Sequence, residues 1–368
     1  MTAKYIITKV NEFNFSRILK ILSILIPAAI AGNVIYIFAA SEPEILNNLT
    51  NYKLSYLFLA AVMVFMPWIT NSIRTWLWSR VYGCKLSSSR ALKSTIAAEI
   101  GSAATPTMVG GGYVKLFFLI KYGFTPGQAT LTMLLGSLED GVFFGIALPL
   151  ALVITRAWDN EYVLKAADAL LEYLPLVALG VVALLIAVLI INRLRLRKSE
   201  KASQTDYSIK AVLSRVLKKL KNYISDFFTA TKFVWNNGKG TFIINAILGG
   251  IGWCGRYGAI SALVIGLGYQ ADPILFFLLQ WVVFTTMTMI PTPGAVGGAE
   301  VSFGLIYSGL IPGAVIPVIT GAWRFITFYL LVGVGAIFMT IAGPGFPAGN
   351  EKRSLPEEDI EVLEKQPA

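Results

Sequence analysis

Charged residues that lie inside apolar stretches are the first candidates for chemistry in this 368-residue sequence. Glu139 and Asp140 lie near the middle of the apolar segment 128–154, and Arg324 lies within the apolar segment 315–341. A charge at the centre of a lipid bilayer costs at least about 2.5–3.5 kcal/mol, so such a residue faces a partner or a cavity. The opposite signs predict a pairing of Glu139 with Arg324, which either serves a ligand site or only locks the helices together.

Further charged residues extend this candidate site. Arg256 lies in another apolar segment, and a guanidinium binds phosphate through two parallel hydrogen bonds. Arg74 could do the same, although anchoring at the cytoplasmic surface is the preferred interpretation. Lys115 and Glu300 follow two glycine-rich motifs, and Glu99 precedes the first. The predicted substrate-binding residues are Glu139, Asp140, Arg324, Arg256, Lys115, Glu300, Pro106, Gly110, Gly111, Pro293, Gly297 and Gly298.

The absence of histidine excludes much familiar enzymology. The sequence contains no histidine and only two cysteines, Cys84 and Cys254, which have no paired spacing. Catalytic triads that need histidine, His-ligated metals and cysteine zinc sites are therefore ruled out. No nucleotide-binding loop of the form GxxxxGK[ST] is present. We predict no catalytic residue, no metal site and no cofactor.

The elements that must position these charges are transmembrane helices. Hydrophobic residues make up 55% of the sequence and charged residues 14%, and the mean hydropathy is +0.66, whereas soluble domains carry about 25% charged residues. The first apolar stretch is longer than the roughly 7–15 residues of a signal-peptide core, so it is interpreted as a retained span. Six full spans are predicted, at 21–40, 54–72, 128–154, 174–191, 241–267 and 315–341.

The distribution of charge predicts the orientation of the spans. Ten lysines and arginines lie in 193–221, directly after an apolar span, while the loop that begins at 156 is net acidic. Positive charge marks the cytoplasmic side and attracts anionic lipid headgroups, so the net charge of +10 does not predict nucleic-acid binding. The prediction is a protein of the cytoplasmic membrane with both termini inside. Basic loops on the inside and acidic loops on the outside alternate along the chain only if 94–122 and 273–312 form re-entrant hairpins that do not cross the membrane. The alternative is eight full spans.

An internal repeat relates two halves of the chain. TPTMVGG at 105–111 matches TPGAVGG at 292–298, and GFTPG at 123–127 matches GLIPG at 309–313. The charge pattern places the two hairpins on opposite sides, which predicts an inverted repeat of the kind found in secondary transporters. The predicted organisation is an N-terminal segment 1–53, repeat halves 54–155 and 241–342, an extra span with a basic cytoplasmic loop 156–240, and an acidic disordered tail 343–368.

The second motif carries a family resemblance. PTPGAVGGAE at 291–300, with the earlier Pro106 and Gly110-Gly111 and the Glu139-Asp140 pair, resembles the lysylphosphatidylglycerol synthase transmembrane-region family, which is also described as flippase-like. The resemblance covers roughly 15–342. It departs at the first motif, where family members often have an acidic residue and arginine in place of Gly112 and Lys115. Related membrane modules precede an aminoacyl-transferase domain, for which the short tail leaves no room, so lipid aminoacylation is not expected.

The resemblance and the buried charges together imply a lipid translocase. Its expected partners are membrane lipids with anionic or phosphate-bearing headgroups. One alternative is a membrane-embedded transferase that acts on a phospholipid or polyprenyl-phosphate headgroup. Another is a non-catalytic scaffold for a lipid-modifying enzyme, with the basic loop as the docking face.

Overall fold

The computed structural model describes most of the two predicted repeat halves. The described residues are 52–105, 108–161, 235–290, 292 and 294–343, with shorter pieces at 27, 30–35, 37–39, 163–165, 168, 171–172 and 232–233. The predicted span 174–191, the basic loop 193–221 and the tail after 343 lie outside the described residues, as does half of the span 21–40. Those predictions therefore stay predictions.

The first half contains two long helices on either side of a short helical hairpin. Helix α1 is Leu54–Val81, α2 is Ser88–Ala103, α3 is Gly110–Lys121 and α4 is Pro126–Thr155. The start of α4 is specified locally: Thr125 and Gln128 form a reciprocal capping box, and a proline occupies the first helical position. At 28 and 30 residues, α1 and α4 are longer than the roughly 20 residues that cross the hydrocarbon of a bilayer.

The second half repeats this order of elements. Helix α5 is Lys239–Gly266, α6 is Pro273–Met289 and α7 is Gly298–Tyr307. The last long segment, Gly313–Ala342, contains α8 at Ile316–Arg324, a π-helical stretch at Phe325–Leu330 and α9 at Leu331–Ala342. Whether the two halves are inverted across a membrane stays a prediction.

The described helices confirm a polytopic helical membrane protein. Four segments in the described part are long and apolar enough to cross a membrane: Leu54–Val81, Pro126–Thr155, Lys239–Gly266 and Gly313–Ala342. Large apolar side chains on their outer faces are exposed, including Phe58, Ile146 and Ile341. Such a surface suits hydrocarbon rather than water, because monomeric soluble proteins rarely expose large contiguous apolar patches.

Helices α1 and α5 form the centre of the bundle and approach closely along glycines of α5. A Cβ on Gly255 would lie 2.7 Å from the backbone oxygen of Met63, and one on Gly252 would lie 2.6 Å from Thr70 Oγ1. Small residues permit this approach in membrane proteins, where dispersion contacts rather than water drive helix association. The central pair brings polar residues of both halves into contact.

The two repeated motifs form the turns of the hairpins. Helix α2 ends at Ala103 and α3 begins at Gly110, and α6 ends at Met289 and α7 begins at Gly298. The expected helix breaks are therefore present. The arms contain 10 to 17 residues, and at 1.5 Å per residue the longest spans about 26 Å, less than the roughly 30 Å of hydrocarbon.

Candidate functional site

Arg74 is the centre of a buried ionic cluster between α1 and α4. It is 5% exposed, and its Nε and Nη2 donate to Glu139 Oε2 at 3.0 and 2.8 Å. Nη2 also donates to the carbonyl of Gly136 at 3.0 Å, and Nη1 donates to Asn71 Oδ1 at 2.7 Å. Every nitrogen of this guanidinium is therefore engaged, as the burial of a charge requires.

Asp140 is held more loosely in the same cluster. Its Oδ1 lies 2.9 Å from Arg74 Nη2, and its side chain is 28% exposed. That oxygen has no partner with hydrogen-bond geometry in the described part of the chain. Asp140 therefore contributes negative charge beside Arg74 while one of its oxygens keeps unused acceptor capacity.

This cluster corrects two expectations from the sequence. The predicted pairing of Glu139 with Arg324 is wrong, because Glu139 pairs with Arg74 and Arg324 pairs with Glu300. The interpretation of Arg74 as a cytoplasmic anchor is also wrong, because its side chain is buried against α4. The cause of both errors is helix rotation, since the carboxylate of α4 faces α1 rather than the last long segment.

Two residues that the sequence did not single out complete the surroundings of Glu139. Trp78 Nε1 donates to Glu139 Oε1 at 2.6 Å, and Asn245 Nδ2 donates to the same oxygen at 3.3 Å. Trp78 follows Arg74 by four residues, so one helical turn places both on the same face, which was a usable signal. For Asn245, the sequence showed only a polar residue within an apolar segment, and nothing in it indicated the partner of this side chain.

Arg324 organises a second cluster around the glycine-rich motif of the second half. It is 1% exposed; its Nε donates to Glu300 Oε1 at 2.9 Å and its Nη2 to the carbonyl of Gly294 at 2.9 Å. Glu300 Oε2 accepts the backbone N–H of Gly297 at 2.8 Å. Arg324 and Glu300 together fix the turn of the second hairpin.

An ion pair between Arg256 and Glu99 joins the two halves. Arg256 Nη2 on α5 donates to Glu99 Oε1 on α2, and both side chains are largely buried. The Nε of Arg256 is buried and has no hydrogen-bond partner in the described part of the chain. Unlike Arg74, this guanidinium has a donor without a partner among the described residues.

Two cavities meet at Glu99. The first, here named the polar cavity, is about 250 Å³ and is lined by Arg74, Lys115, Glu139 and Asp140 among others. The second, the central cavity, is about 320 Å³ and contains the guanidiniums of Arg256 and Arg324. Glu99 lines both cavities. A smaller cavity of about 50 Å³, here named the constriction, shares Arg74 and Glu99 with the polar cavity and shares Glu99 and Arg256 with the central cavity.

Aromatic side chains form part of the wall of the central cavity. Phe144, Trp253, Tyr257, Trp281 and Phe284 line it, in addition to two guanidiniums and the carboxylate of Glu99. Two tryptophans, Trp253 and Trp281, thus face this cavity. An apolar wall with a few convergent polar groups is the usual construction of a ligand site.

The predicted site residues separate into those that line the cavities and those that shape the hairpins. Glu139, Asp140, Lys115, Arg256 and Arg324 line a cavity, and Glu300 is the partner of Arg324.

The four predicted glycines are absent from the described linings of both cavities. At Gly111 a Cβ would lie 1.9 Å from Ser102 Oγ, and at Gly298 it would lie 2.2 Å from Ile290 Cδ1. Gly110 donates its N–H to Thr105 Oγ1, and Gly297 has a φ of 86°. Their substrate binding stays a prediction, and the predicted prolines, Pro106 and Pro293, lie outside the described residues.

Comparison with known proteins places this architecture in a family. The sequence pattern of the lysylphosphatidylglycerol synthase transmembrane region matches residues 21–335. The chain belongs to this family. A protein of Archaeoglobus fulgidus described as a UPF0104 membrane protein is 25% identical over 277 residues, which is 73% of this chain and 81% of that relative.

The lysylphosphatidylglycerol synthase transmembrane region contains the whole candidate site. The charged residues of both clusters and of the joining pair lie between 74 and 324, inside the matched residues 21–335. The cavities are thus built by the part of the chain that defines the family. Membership in this membrane family fits a lipid-related role.

Proposed function

We propose that this chain is a translocase for lipids with phosphate-bearing headgroups, and that the headgroup passes between the polar cavity and the central cavity. The observation that carries the proposal is the position of Glu99, which lines both cavities and forms the ion pair with Arg256 at the constriction. We place this pair on the path of a headgroup that moves from one cavity to the other.

The chemistry of the joining pair suits an exchange of partners. Arg256 has an unused donor at Nε, and a phosphate accepts bidentate hydrogen bonds from a guanidinium. A phosphate that binds Arg256 replaces the carboxylate of Glu99 and keeps the buried positive charge neutralised. The cost of breaking the protein's own pair is thereby offset by the ligand, which lowers the barrier for a charged group in a low-dielectric interior.

The remaining charges of the central cavity favour an anionic group. Arg256 and Arg324 contribute two guanidiniums against the single carboxylate of Glu99 among the cavity's lining residues. Glu300 neutralises Arg324 from behind, outside that lining. A phosphate in the cavity therefore meets two cations directly. The family's name refers to a synthase that acts on a phosphate-bearing lipid, which supports the same class of ligand.

The test is lipid transfer in liposomes that contain only the purified full chain. Vesicles of phosphatidylcholine and phosphatidylglycerol carry a trace of headgroup-labelled phosphatidylglycerol, whose passage between leaflets is followed by quenching with a membrane-impermeant reductant. We expect Arg256→Gln and Glu99→Gln each to reduce the transfer rate at least about tenfold, which corresponds to roughly 1.4 kcal/mol in the barrier. Arg80→Gln is the matched control, because Arg80 is exposed at the end of α1.

Two outcomes would remove the proposal. One is transfer by the wild-type protein that does not exceed that of empty vesicles. The other is unchanged transfer in both Arg256→Gln and Glu99→Gln. Transfer by the isolated chain also separates a translocase from a scaffold, which would need its partner enzyme. Monodisperse elution and an unchanged unfolding temperature establish that each variant is folded.

A further inference from the structure

An apolar groove runs along the bundle beside the central cavity. It has a volume of about 530 Å³ and lies between α1, α4, α5 and α6, and we name it the lateral groove. Its lining includes Leu59, Leu150, Ile154, Ile265 and Ile274. Leu59, Leu150 and Ile154 are 45%, 55% and 54% exposed, so the groove is open on its outer side.

The lateral groove occupies one end of the bundle. Helix α1 contributes residues from its first half, α4 and α5 contribute residues from their second halves, and α6 contributes its first turns. These are the ends next to the connection 267–272 between α5 and α6. The groove therefore extends along one half of the length of the bundle.

Aromatic rings in contact with one another form the boundary between the lateral groove and the central cavity. Phe143 and Phe277 line the groove, whereas Phe144 and Tyr257 line the cavity. The ring centroids of Phe143 and Phe144 are 5.3 Å apart, and those of Tyr257 and Phe277 are 5.4 Å apart. The two spaces are therefore adjacent, and rotation of these side chains would join them for a molecule with a polar end and an apolar end.

The floor of the groove is formed by small residues on one face of α5. Cys254, Gly258, Ser261 and Ala262 line it at helical spacing of three and four residues. Small side chains at these positions leave a channel in a helix surface that larger residues would fill. Such a recess distinguishes the groove from the merely apolar outer faces of the other spans, which have no reason to select a particular lipid.

We infer that the lateral groove holds a hydrocarbon chain of the lipid whose phosphate-bearing headgroup occupies the central cavity. The inference rests on the proposed function and adds the position of the lipid's apolar part. With the chain in the groove, its apolar surface stays out of contact with the charged cavity walls. Only the headgroup is enclosed by charges, while the chain keeps an apolar environment and gains dispersion contacts with the groove floor.

The native thiol of Cys254 provides a direct test. Cys254 is exposed in the groove and follows Trp253 of the central cavity in sequence. The only other cysteine, Cys84, lies in the turn after α1, where burial raises the pKa of its thiol, and Cys84→Ala removes it. A benzophenone maleimide on Cys254 is photolysed in vesicles of equal parts phosphatidylcholine and phosphatidylglycerol, and the cross-linked lipids are identified by mass spectrometry.

We expect phosphatidylglycerol to exceed phosphatidylcholine in the Cys254 adducts by about fivefold, an affinity difference of roughly 1 kcal/mol. Arg256→Gln should return the ratio to that of the bulk membrane, because selection comes from the headgroup. Ile146→Cys with Cys254→Ala is the matched control, since Ile146 is 66% exposed on α4 and lies outside the groove. The inference would be overturned if a protein with intact Arg256 transfers phosphatidylglycerol but its Cys254 adducts contain the two lipids in the ratio of the bulk membrane.

A second variant tests the groove through transfer itself. Gly258→Leu places a side chain on the groove floor, where a Cβ would meet only the flexible end of Met63. We expect transfer of a long-chain phosphatidylglycerol to fall about tenfold, and that of a short-chain analogue to fall much less. Gly145→Leu on α4 is the control, because a Cβ there meets nothing within 4 Å.

The outcomes of this experiment separate the two proposals. Equal effects of Gly258→Leu on both chain lengths, or no effect, would contradict the groove while leaving the translocase in place. No transfer of either lipid by the wild-type protein would contradict the translocase itself.

Discussion

Arg74, Arg256 and Arg324 differ in how fully the protein satisfies their hydrogen-bond donors. Arg74 engages all three guanidinium nitrogens with protein acceptors. Arg324 binds both a carboxylate and a backbone carbonyl of the hairpin turn. Arg256 has a carboxylate at Nη2 and no partner at Nε in the described structure. The protein therefore satisfies Arg74 and Arg324 more fully than Arg256, which keeps a donor without a partner among the described residues.

The Arg74–Glu139 pair gives the clearest prediction about stability. Arg74→Met or Glu139→Gln alone should lower the free energy of unfolding by about 3–5 kcal/mol, because each leaves the other charge buried without its partner. The double variant should recover part of that loss. Unfolding in detergent, followed by tryptophan fluorescence, measures the coupling. Additive losses would show that the pair is not coupled.

A matched control is available on the surface. The Lys165–Glu161 pair is exposed, with side chains 68% and 74% accessible. Lys165→Met should leave the unfolding temperature unchanged, because exposed pairs are screened by solvent.

Trp78 is expected to position Glu139 through its indole N–H. Trp78→Phe keeps an aromatic ring and removes the donor to Glu139, so we expect a loss of about 1.5–3 kcal/mol, the range for hydrogen bonds to charged groups. Trp76→Phe is the comparison, because Trp76 is only partly buried and stacks under Arg80. Chemical denaturation of the two variants side by side gives the difference. Equal losses would assign Trp78 a packing role alone.

At the scale of elements, the close contact of α1 with α5 decides which polar residues meet. The glycines of α5 allow α1 to approach so closely that Gly249 lies against Arg74, where a Cβ would be 3.1 Å from Cζ. The same contact lets Asn245 of α5 donate to the backbone carbonyl of Arg74 and to Glu139. A wider separation would remove both the packing and the interhelical hydrogen bonds.

Gly255 tests this contact. Gly255→Val should lower the unfolding temperature and cost about 1–3 kcal/mol, because the new side chain collides with the backbone of α1 near Met63. Gly240→Val is the control on the same helix, where a Cβ meets nothing within 4 Å. Thermal unfolding of the detergent-solubilised proteins measures both. A similar shift in the two variants would attribute the effect to valine in a helix rather than to the helix contact.

At the scale of the whole molecule, the two halves share an order of elements and contribute to one site. Long helix, helical hairpin and long helix occur in both halves. The Arg256–Glu99 pair crosses between them, and the central cavity takes side chains from both. An inverted arrangement would give each half access to a different leaflet, which is the geometry that alternating access requires.

Accessibility of single cysteines tests that arrangement. Both native cysteines are first removed by Cys84→Ala and Cys254→Ala. A single cysteine is then introduced at Ser89, at the base of the first hairpin, or at Gln270, at the base of the second, and both positions are exposed. We expect a membrane-impermeant maleimide to label the Gln270→Cys variant in intact cells and the Ser89→Cys variant only after permeabilisation. Labelling of both from the same side would contradict the inverted repeat.

The sequence by itself determined the membrane class, the order of the elements and the identity of most charged residues in the cavities. Apolar runs of sufficient length can satisfy their backbone in a bilayer only as helices. Local signals then fixed helix ends, as at the Thr125–Gln128 capping box and at the two glycine-rich turns. These properties depend on residues close together in the chain, so a sequence is enough to predict them.

Only the tertiary structure decided which charges became partners. Glu139 and Arg324 occupy nearly equivalent positions in the two halves, and sequence alone paired them. The rotation of α4 instead directs Glu139 to Arg74, and the turn of the second hairpin brings Glu300 to Arg324. Helix rotation is set by packing along the whole interface, including the glycines of α5. Successive residues of a helix point in directions that differ by about 100°, so a shift of one position along the helix gives a side chain a different partner. Partner choice therefore depends on contacts distant in sequence.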